Sequence, residues 1–89
     1  MVLHCLVVDD SASFLQAARV VLEREGLTVE VAMTSAEALR RVDETQPDVV
    51  LVDIHLPGMN GIKCVAGLKT RLPELSVLML TRLEKLLRL

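Results

Sequence analysis

The stretch Val7-Val8-Asp9-Asp10 ends one apolar run of the chain, and Val50-Leu51-Val52-Asp53 ends another. Aliphatic runs of this kind are typical of strands that are buried on both faces of a parallel sheet. In such sheets, ligands bind beyond the carboxyl ends of the strands, at the point where the strand order reverses. If the two strands are neighbours, the side chains of Asp9, Asp10 and Asp53 share one small cleft.

A cleft that holds these acidic side chains favours a metal ion. Carboxylates that lie close together repel one another unless a cation sits among them. Ligation by oxygen alone suits a hard cation such as Mg²⁺. The two strand ends therefore predict a magnesium site.

Strands and helices alternate along the chain. The apolar patterns predict strands over residues 2–8, 28–31, 48–53 and 76–80, and helices over residues 11–25, 34–44, 62–72 and 82–89. Gly26 is expected to end the first helix, and the capping-box spacing of Thr34 and Glu37 to begin the second. This βαβαβαβα order predicts an α/β fold, a doubly wound parallel sheet with helices on both faces.

Each of the first three predicted helices has an apolar face at helical spacing, which we expect to pack on the sheet. The residues on these faces are Phe14, Ala18, Val21 and Leu22 in the first helix, Ala38, Leu39 and Val42 in the second, and Ile62, Val65 and Leu72 in the third.

The motifs of the chain, taken together, resemble the receiver domain of two-component response regulators. They are the opening Val-Val-Asp-Asp-Ser at 7–11, the strand at 47–53, the loop Leu-Pro-Gly-Met-Asn-Gly at 56–61, and Thr81 after the apolar run 76–80. The resemblance covers nearly the whole chain in one register. It implies a flavodoxin-like sheet of order 2-1-3-4-5, here lacking the fifth strand, so that residues 1–89 form a single, truncated receiver domain.

The resemblance also implies a role for each site residue. Asp53 is expected to be the phosphoacceptor, whose carboxylate becomes an aspartyl phosphate. Asp9, Asp10 and Asp53, together with the backbone carbonyl of His55, are expected to hold the Mg²⁺. The hydroxyl of Thr81 is expected to bind a phosphoryl oxygen and to act as the switch hydroxyl.

Two local alternatives compete with these roles. Asp9 or Asp10 could serve as the N-cap of the first helix, for which Ser11 is also available. Thr81 could cap the helix of the tail.

Two functional parts of the family have no match in this sequence. The family's lysine follows its fifth strand, whereas Lys63 and Lys69 lie on the third predicted helix and Lys85 lies in the tail. The family's switch aromatic is missing as well, because the chain has no Tyr or Trp and Phe14 lies on the first helix.

The lack of a fifth strand predicts self-association. A bare apolar edge along the strand 76–80 invites pairing with another chain, and the helix 82–89 would have a half-covered face of leucines. We therefore expect a homo-oligomer.

The composition excludes several classes of function. A formal net charge of −2 offers no basic surface for nucleic acid or for an anionic membrane. No apolar stretch reaches the ~18 residues of a membrane span, and no leader is recognised, so a cytoplasmic location is expected. Cys5 and Cys64 lie in apolar patterns without CxxC spacing and are expected to be free, buried thiols.

Two functions remain. The first is a receiver that accepts a phosphoryl group from a histidine kinase or a phosphotransfer protein, without being a turnover enzyme. The second is a receiver-derived module that self-associates without signalling. A phosphatase of the haloacid dehalogenase type would need an aspartate where His55 stands. Nucleotide or flavin binding is disfavoured because residues 9–13 contain no glycine.

Overall fold

The computed structural model describes residues 2–53, 61–71 and 76–80 of the chain. Strands and helices alternate in it as predicted, and the predicted tail helix 82–89 lies outside the described residues. The elements are β1 (His4–Val8), α1 (Ala12–Arg24), β2 (Thr28–Ala32), α2 (Ser35–Thr45), β3 (Val49–Asp53), α3 (Gly61–Arg71) and β4 (Ser76–Leu80).

The four described strands form one sheet in the order β2-β1-β3-β4. All three neighbouring pairs are parallel, with Val8 opposite Ala32 on one side and opposite Val52 on the other. The chain therefore builds β2 on one side of β1 and then crosses to the other side to add β3. This arrangement confirms the predicted doubly wound parallel sheet and makes the end of β1 the point where the strand order reverses.

Local signals set the ends of the first two helices. Thr34 is the N-cap of α2, and its Oγ1 atom accepts the backbone N–H of Glu37 at 3.1 Å. The Glu37 carboxylate reaches back to the N–H of Met33 at 2.7 Å, one residue before the N-cap. Gly26 follows α1 with a φ of 92°, and Gln46 ends α2 with a φ of 47°; both values lie in the left-handed region.

The core has two parts, because each face of the sheet packs against different helices. One face packs on α2 and α3, and the buried residues there are Leu6, Val8, Ala32, Ala38, Val42, Val50, Val52, Cys64 and Leu68. The other face packs on α1 around Cys5, Val7, Leu15 and Val29. Helices on both faces were predicted, and the structure confirms them.

The buried faces of α1 and α3 differ in detail from the prediction. Val21 is 57% exposed, whereas Leu15, which the apolar pattern did not select, is 4% exposed. On α3 the residues that become buried are Cys64 and Leu68, with Val65 packed partly against them. The side chains of Ile62 and Leu72, which were predicted to lie on the apolar face of this helix, are outside the described part of the chain. In α2 the prediction is confirmed, with Ala38 and Val42 buried and Leu39 packed against the core.

None of the helices in the described part of the chain combines the length and the apolar composition that crossing a membrane requires.

Candidate functional site

The candidate site lies at one end of the sheet, where β1 and β3 finish side by side. Val8 of β1 lies opposite Val52 of β3. Asp9 directly follows Val8, and Asp53 directly follows Val52. Asp53 is the last residue of β3, with Leu80 of β4 as its partner on the other side. The prediction that these two strands are neighbours is therefore confirmed at the level of the backbone.

Asp9 is completely buried, with an exposed fraction of 0%. Its Oδ1 atom accepts the backbone N–H of Ser11 at 2.9 Å. Its own backbone N–H donates to the carbonyl oxygen of Ala32 at the end of β2, at 3.0 Å. The carboxylate is thus held between the ends of β1 and β2 and the beginning of α1.

The position of Ser11 decides between the candidates for the N-cap of α1, which were Asp9, Asp10 and Ser11. It is the N-cap of α1, and its Oγ atom accepts the backbone N–H of Phe14 at 3.2 Å. The alternative that Asp9 or Asp10 caps this helix is therefore wrong. Asp10, between Asp9 and Ser11 in the sequence, is exposed.

The contact between Asp9 and Ser11 was not predicted from the sequence. Aspartate commonly accepts a hydrogen bond from the backbone N–H two residues further along the chain. The spacing Asp-x-Ser at 9–11 was the signal that could have indicated it.

The remaining predicted site residues cannot be placed against these atoms. The side chain of Asp53, the residue His55 and the residue Thr81 all lie outside the described residues. The alternative role of Thr81 as a helix cap lies there as well. Their functions stay predictions.

The donor set at the end of β1 fits a hard cation. A fully buried carboxylate such as that of Asp9 is costly unless positive charge or hydrogen bonds compensate it, and its neighbour Asp10 adds a second carboxylate. Oxygen donors of this type suit Mg²⁺. Among the side chains that the structure describes, which exclude that of Asp53, no three His, Cys, Asp or Glu residues form a group that could hold a metal ion.

The two cysteines lie one in each part of the core. Both are free thiols, and Cys5 and Cys64 are 2% and 0% exposed. Burial raises the pKa of each thiol above its ordinary value of 9.0. Because the thiolate is the reactive form, both residues act as small apolar side chains, as predicted.

A protein-family model matches the chain over almost its full length, and curated relatives match part of it. The protein-family model described as "Response regulator receiver domain" matches residues 5–87. The DNA-binding response regulator MtrA of Mycolicibacterium paratuberculosis is 49% identical over 57 residues, which cover 64% of this chain and 25% of that protein. The chain spans about a quarter of the length of the curated relatives it matches.

Solved structures have the same fold. A response regulator receiver domain protein from Clostridium thermocellum has a TM-score of 0.85 and 33% identity, over 89% of this chain and 64% of that chain. A response regulator protein from Burkholderia pseudomallei, solved with a phosphorylated aspartic acid, calcium ion and citrate, has a TM-score of 0.82 and 32% identity. That match covers 88% of this chain and 46% of the other.

Proposed function

Because this chain belongs to the response regulator receiver domain family of two-component systems, we propose that it accepts a phosphoryl group on the side chain of Asp53 in a Mg²⁺-dependent reaction. The observation that carries the proposal is the position of Asp53 at the end of β3, beside β1, which the buried Asp9 directly follows. A strand end at the reversal of strand order is where this class of sheet binds its ligands.

The proposed chemistry is nucleophilic attack by a carboxylate. An Asp53 carboxylate oxygen forms a bond to phosphorus while the bond between phosphorus and a histidine nitrogen of the donor breaks. The freed electron pair stays on that nitrogen, and the product is an aspartyl phosphate. Each molecule of the chain accepts one phosphoryl group and carries it as the product. It therefore acts as a phosphoacceptor and not as a turnover enzyme.

The residues that would hold the Mg²⁺ are Asp9, Asp10, Asp53 and the backbone carbonyl of His55. When bound, the ion supplies positive charge that reduces the repulsion between these carboxylates and the phosphoryl oxygens. The hydrogen bond from the Ser11 N–H orients the Asp9 carboxylate for this purpose. In this proposal the Thr81 hydroxyl donates a hydrogen bond to a phosphoryl oxygen.

The proposed partner is a sensor histidine kinase or a phosphotransfer protein. A curated relative of the chain is named as a DNA-binding regulator, but a formal net charge of −2 gives residues 1–89 no basic surface for DNA. We therefore propose no contact with nucleic acid or with a membrane through these residues. A cytoplasmic location is part of the proposal, since a reducing compartment keeps thiols such as Cys5 and Cys64 unpaired.

Mass spectrometry of the intact protein after incubation with acetyl phosphate tests this function. We expect a single phosphoryl adduct that requires Mg²⁺ and is lost in Asp53→Asn. The matched control is Asp48→Asn, the same isosteric change just before the other end of β3. Asp48 is exposed there and accepts the backbone N–H of His4 at 2.7 Å, which an asparagine oxygen can also accept. An adduct that persists in Asp53→Asn would show that another residue is the acceptor.

A second candidate function is self-association without phosphoryl transfer. The observation that favours it is that β4 pairs only with β3 within the described sheet, and an unpaired strand edge can pair with a second chain. We propose β4 and the leucine-rich segment 82–89 as the contact. Light scattering distinguishes the two candidates. Concentration-dependent dimers without any phosphoryl adduct favour the second, and a monomer that takes up phosphate excludes it.

A further inference from the structure

A cavity of ≈ 230 Å³ lies at the outer edge of the sheet, between α1, β2 and α2. Leu15, Val31 and Met33 contribute apolar wall to it, and Arg19, Arg41 and Glu37 contribute charged groups. None of these residues belongs to the proposed phosphorylation site.

Arg19, on α1, brings a positive charge to this cavity. One of its terminal nitrogens donates to the carbonyl oxygen of Val29 at 3.3 Å. Its Nε atom is buried and has no hydrogen-bond partner among the described residues. The ion pairs found in the described part of the chain do not include Arg19.

Arg41, on α2, faces the same cavity from the other side. Its only ion pair within the described residues joins one terminal nitrogen to Glu30 at a long 3.5 Å. Its Nε atom is also buried without a partner in that part of the chain. Buried N–H donors of charged groups are costly when nothing accepts their hydrogen bonds. Two such donors therefore lie in the arginine side chains that line the cavity. The Glu37 carboxylate in the same lining is already engaged, because it accepts the N–H of Met33 at 2.7 Å and pairs with Arg40.

The edge of β2 indicates what kind of molecule fits. The backbone groups of Thr28 and Ala32 bond to the β1 side of the sheet, so by strand alternation those of Val29 and Val31 point to the outer edge. Arg19 covers the outward carbonyl of Val29. This contact obstructs the addition of another strand along β2, so a small molecule is favoured over an extended peptide.

We propose that this cavity binds a small aliphatic carboxylate. The carboxylate lies between the guanidinium groups of Arg19 and Arg41, because arginine forms charge-assisted hydrogen bonds with carboxylates. The hydrocarbon part packs on Leu15, Val31 and Met33. The volume is below the ~300 Å³ at which pockets for drug-sized ligands begin, so the ligand is a short-chain acid. This proposal does not depend on phosphorylation of Asp53.

Nuclear magnetic resonance titration of the ¹⁵N-labelled chain with butyrate tests the proposal. We expect saturable shifts of the Val31 and Met33 amides and of the Nε–H signals of Arg19 and Arg41. Butanol has the same hydrocarbon chain without the charge, and inorganic phosphate has charge without the hydrocarbon. Both are expected to bind at least about tenfold more weakly than butyrate. We expect Arg19→Gln and Arg41→Gln each to weaken butyrate binding about tenfold or more, since each removes one charged donor. Arg24→Gln is the matched control, because Arg24 is exposed on α1 and does not line the cavity.

Several results would overturn the proposal. Shifts that never saturate would mean that the cavity holds only water. If butanol or phosphate bound as tightly as butyrate, the carboxylate would not be the recognised group. If Arg19→Gln bound butyrate with unchanged affinity, the carboxylate would not lie beside Arg19. Should Arg19→Gln fail to fold, Arg19→Lys keeps the charge but lacks the Nε–H group and the planar fork. Weaker butyrate binding by that variant supports the site, and unchanged binding rejects it.

Discussion

The Oδ1 atom of Asp9 accepts a hydrogen bond of 2.9 Å from the backbone N–H of Ser11, the residue that caps α1. This bond joins the end of the central strand to the first turn of the following helix. Since Asp9 is fully buried, its carboxylate has a fixed direction before any ligand arrives. Such preorganisation is what a binding site of charged oxygens needs.

Removal of the acidic side chains should weaken Mg²⁺ binding. We expect Asp9→Asn and Asp10→Ala each to lower the affinity for Mg²⁺ by about tenfold or more, which corresponds to about 1.4 kcal/mol or more. The reason is that each change removes one negatively charged oxygen donor from the proposed site. Isothermal calorimetry measures the affinities, with Glu23→Gln on the exposed side of α1 as the control. Equal affinity in all four proteins would contradict the assignment of the metal site.

The two left-handed backbone positions in the described part of the chain should respond to substitution in opposite directions. Gly26 has a φ of 92° and open space around a built Cβ atom, so Gly26→Ala should lower the free energy of unfolding by about 1 kcal/mol through backbone strain alone. Gln46 has a φ of 47°, so Gln46→Gly should raise it by about 0.5 kcal/mol. Urea denaturation measures both changes. Gln46→Ala keeps the backbone strain and should leave the free energy of unfolding nearly unchanged. If Gln46→Ala raised it as much as Gln46→Gly does, backbone strain would not be the explanation.

The N-cap of α2 should contribute measurably to stability. Thr34→Ala removes the acceptor of the Glu37 N–H bond and should lower the free energy of unfolding by about 1 kcal/mol. Thr34→Ser retains the acceptor and should restore most of the loss. Thr70 provides a control within α3, because its hydroxyl bonds to the carbonyl of Ala66 in its own helix. Thermal denaturation in which Thr34→Ala and Thr70→Ala behave alike would argue against a capping role.

The buried thiols should make the protein less stable at alkaline pH. Burial raises the pKa of Cys5 and Cys64 above 9.0 in the folded chain, so the unfolded chain loses these protons first as the pH rises. The stabilisation is complete below the unfolded pKa of 9.0 and is lost as the pH rises through the folded pKa.

Urea denaturation between about pH 8 and pH 10 measures this loss. Replacement of either cysteine, as in Cys64→Ala, should reduce the slope of stability against pH in this range. An unchanged slope in Cys5→Ala and in Cys64→Ala would show that the thiols do not cause it.

The alternation of strands and helices and the place of the acidic residues at strand ends could be predicted because their signals are local, whereas the order of the strands in the sheet was implied only by the family resemblance. The uniform aliphatic runs that end at Asp9 and Asp53 indicate buried parallel strands, and parallel strands bring their carboxyl ends to one edge. The beginning of α2 could also be predicted, because Thr34 and Glu37 are only three residues apart and their hydrogen bonds form within one turn.

The choice of buried residues on α1 could be predicted only in part, since Phe14, Ala18 and Leu22 pack against the core as predicted. The apolar spacing selected Val21, which is 57% exposed, and passed over Leu15, which is 4% exposed. The apolar residues of α1 are spread around the helix axis, so more than one face could pack on the sheet. Which of them are covered depends on how the helix is rotated against the sheet, and that rotation is decided by packing with distant residues such as Val7 and Val29.

The sequence by itself therefore determined the alternation of strands and helices, the parallel sheet, and the edge at which Asp9, Asp10 and Asp53 finish their strands. Only the tertiary structure decided that Leu15 is buried while Val21 stays exposed, and that Arg19 and Arg41 share one cavity. The physical reason is the range of the interactions. Periodicity and turn chemistry act between residues a few positions apart, whereas Arg19 and Arg41 line one cavity only because their helices pack on either side of the edge strand β2.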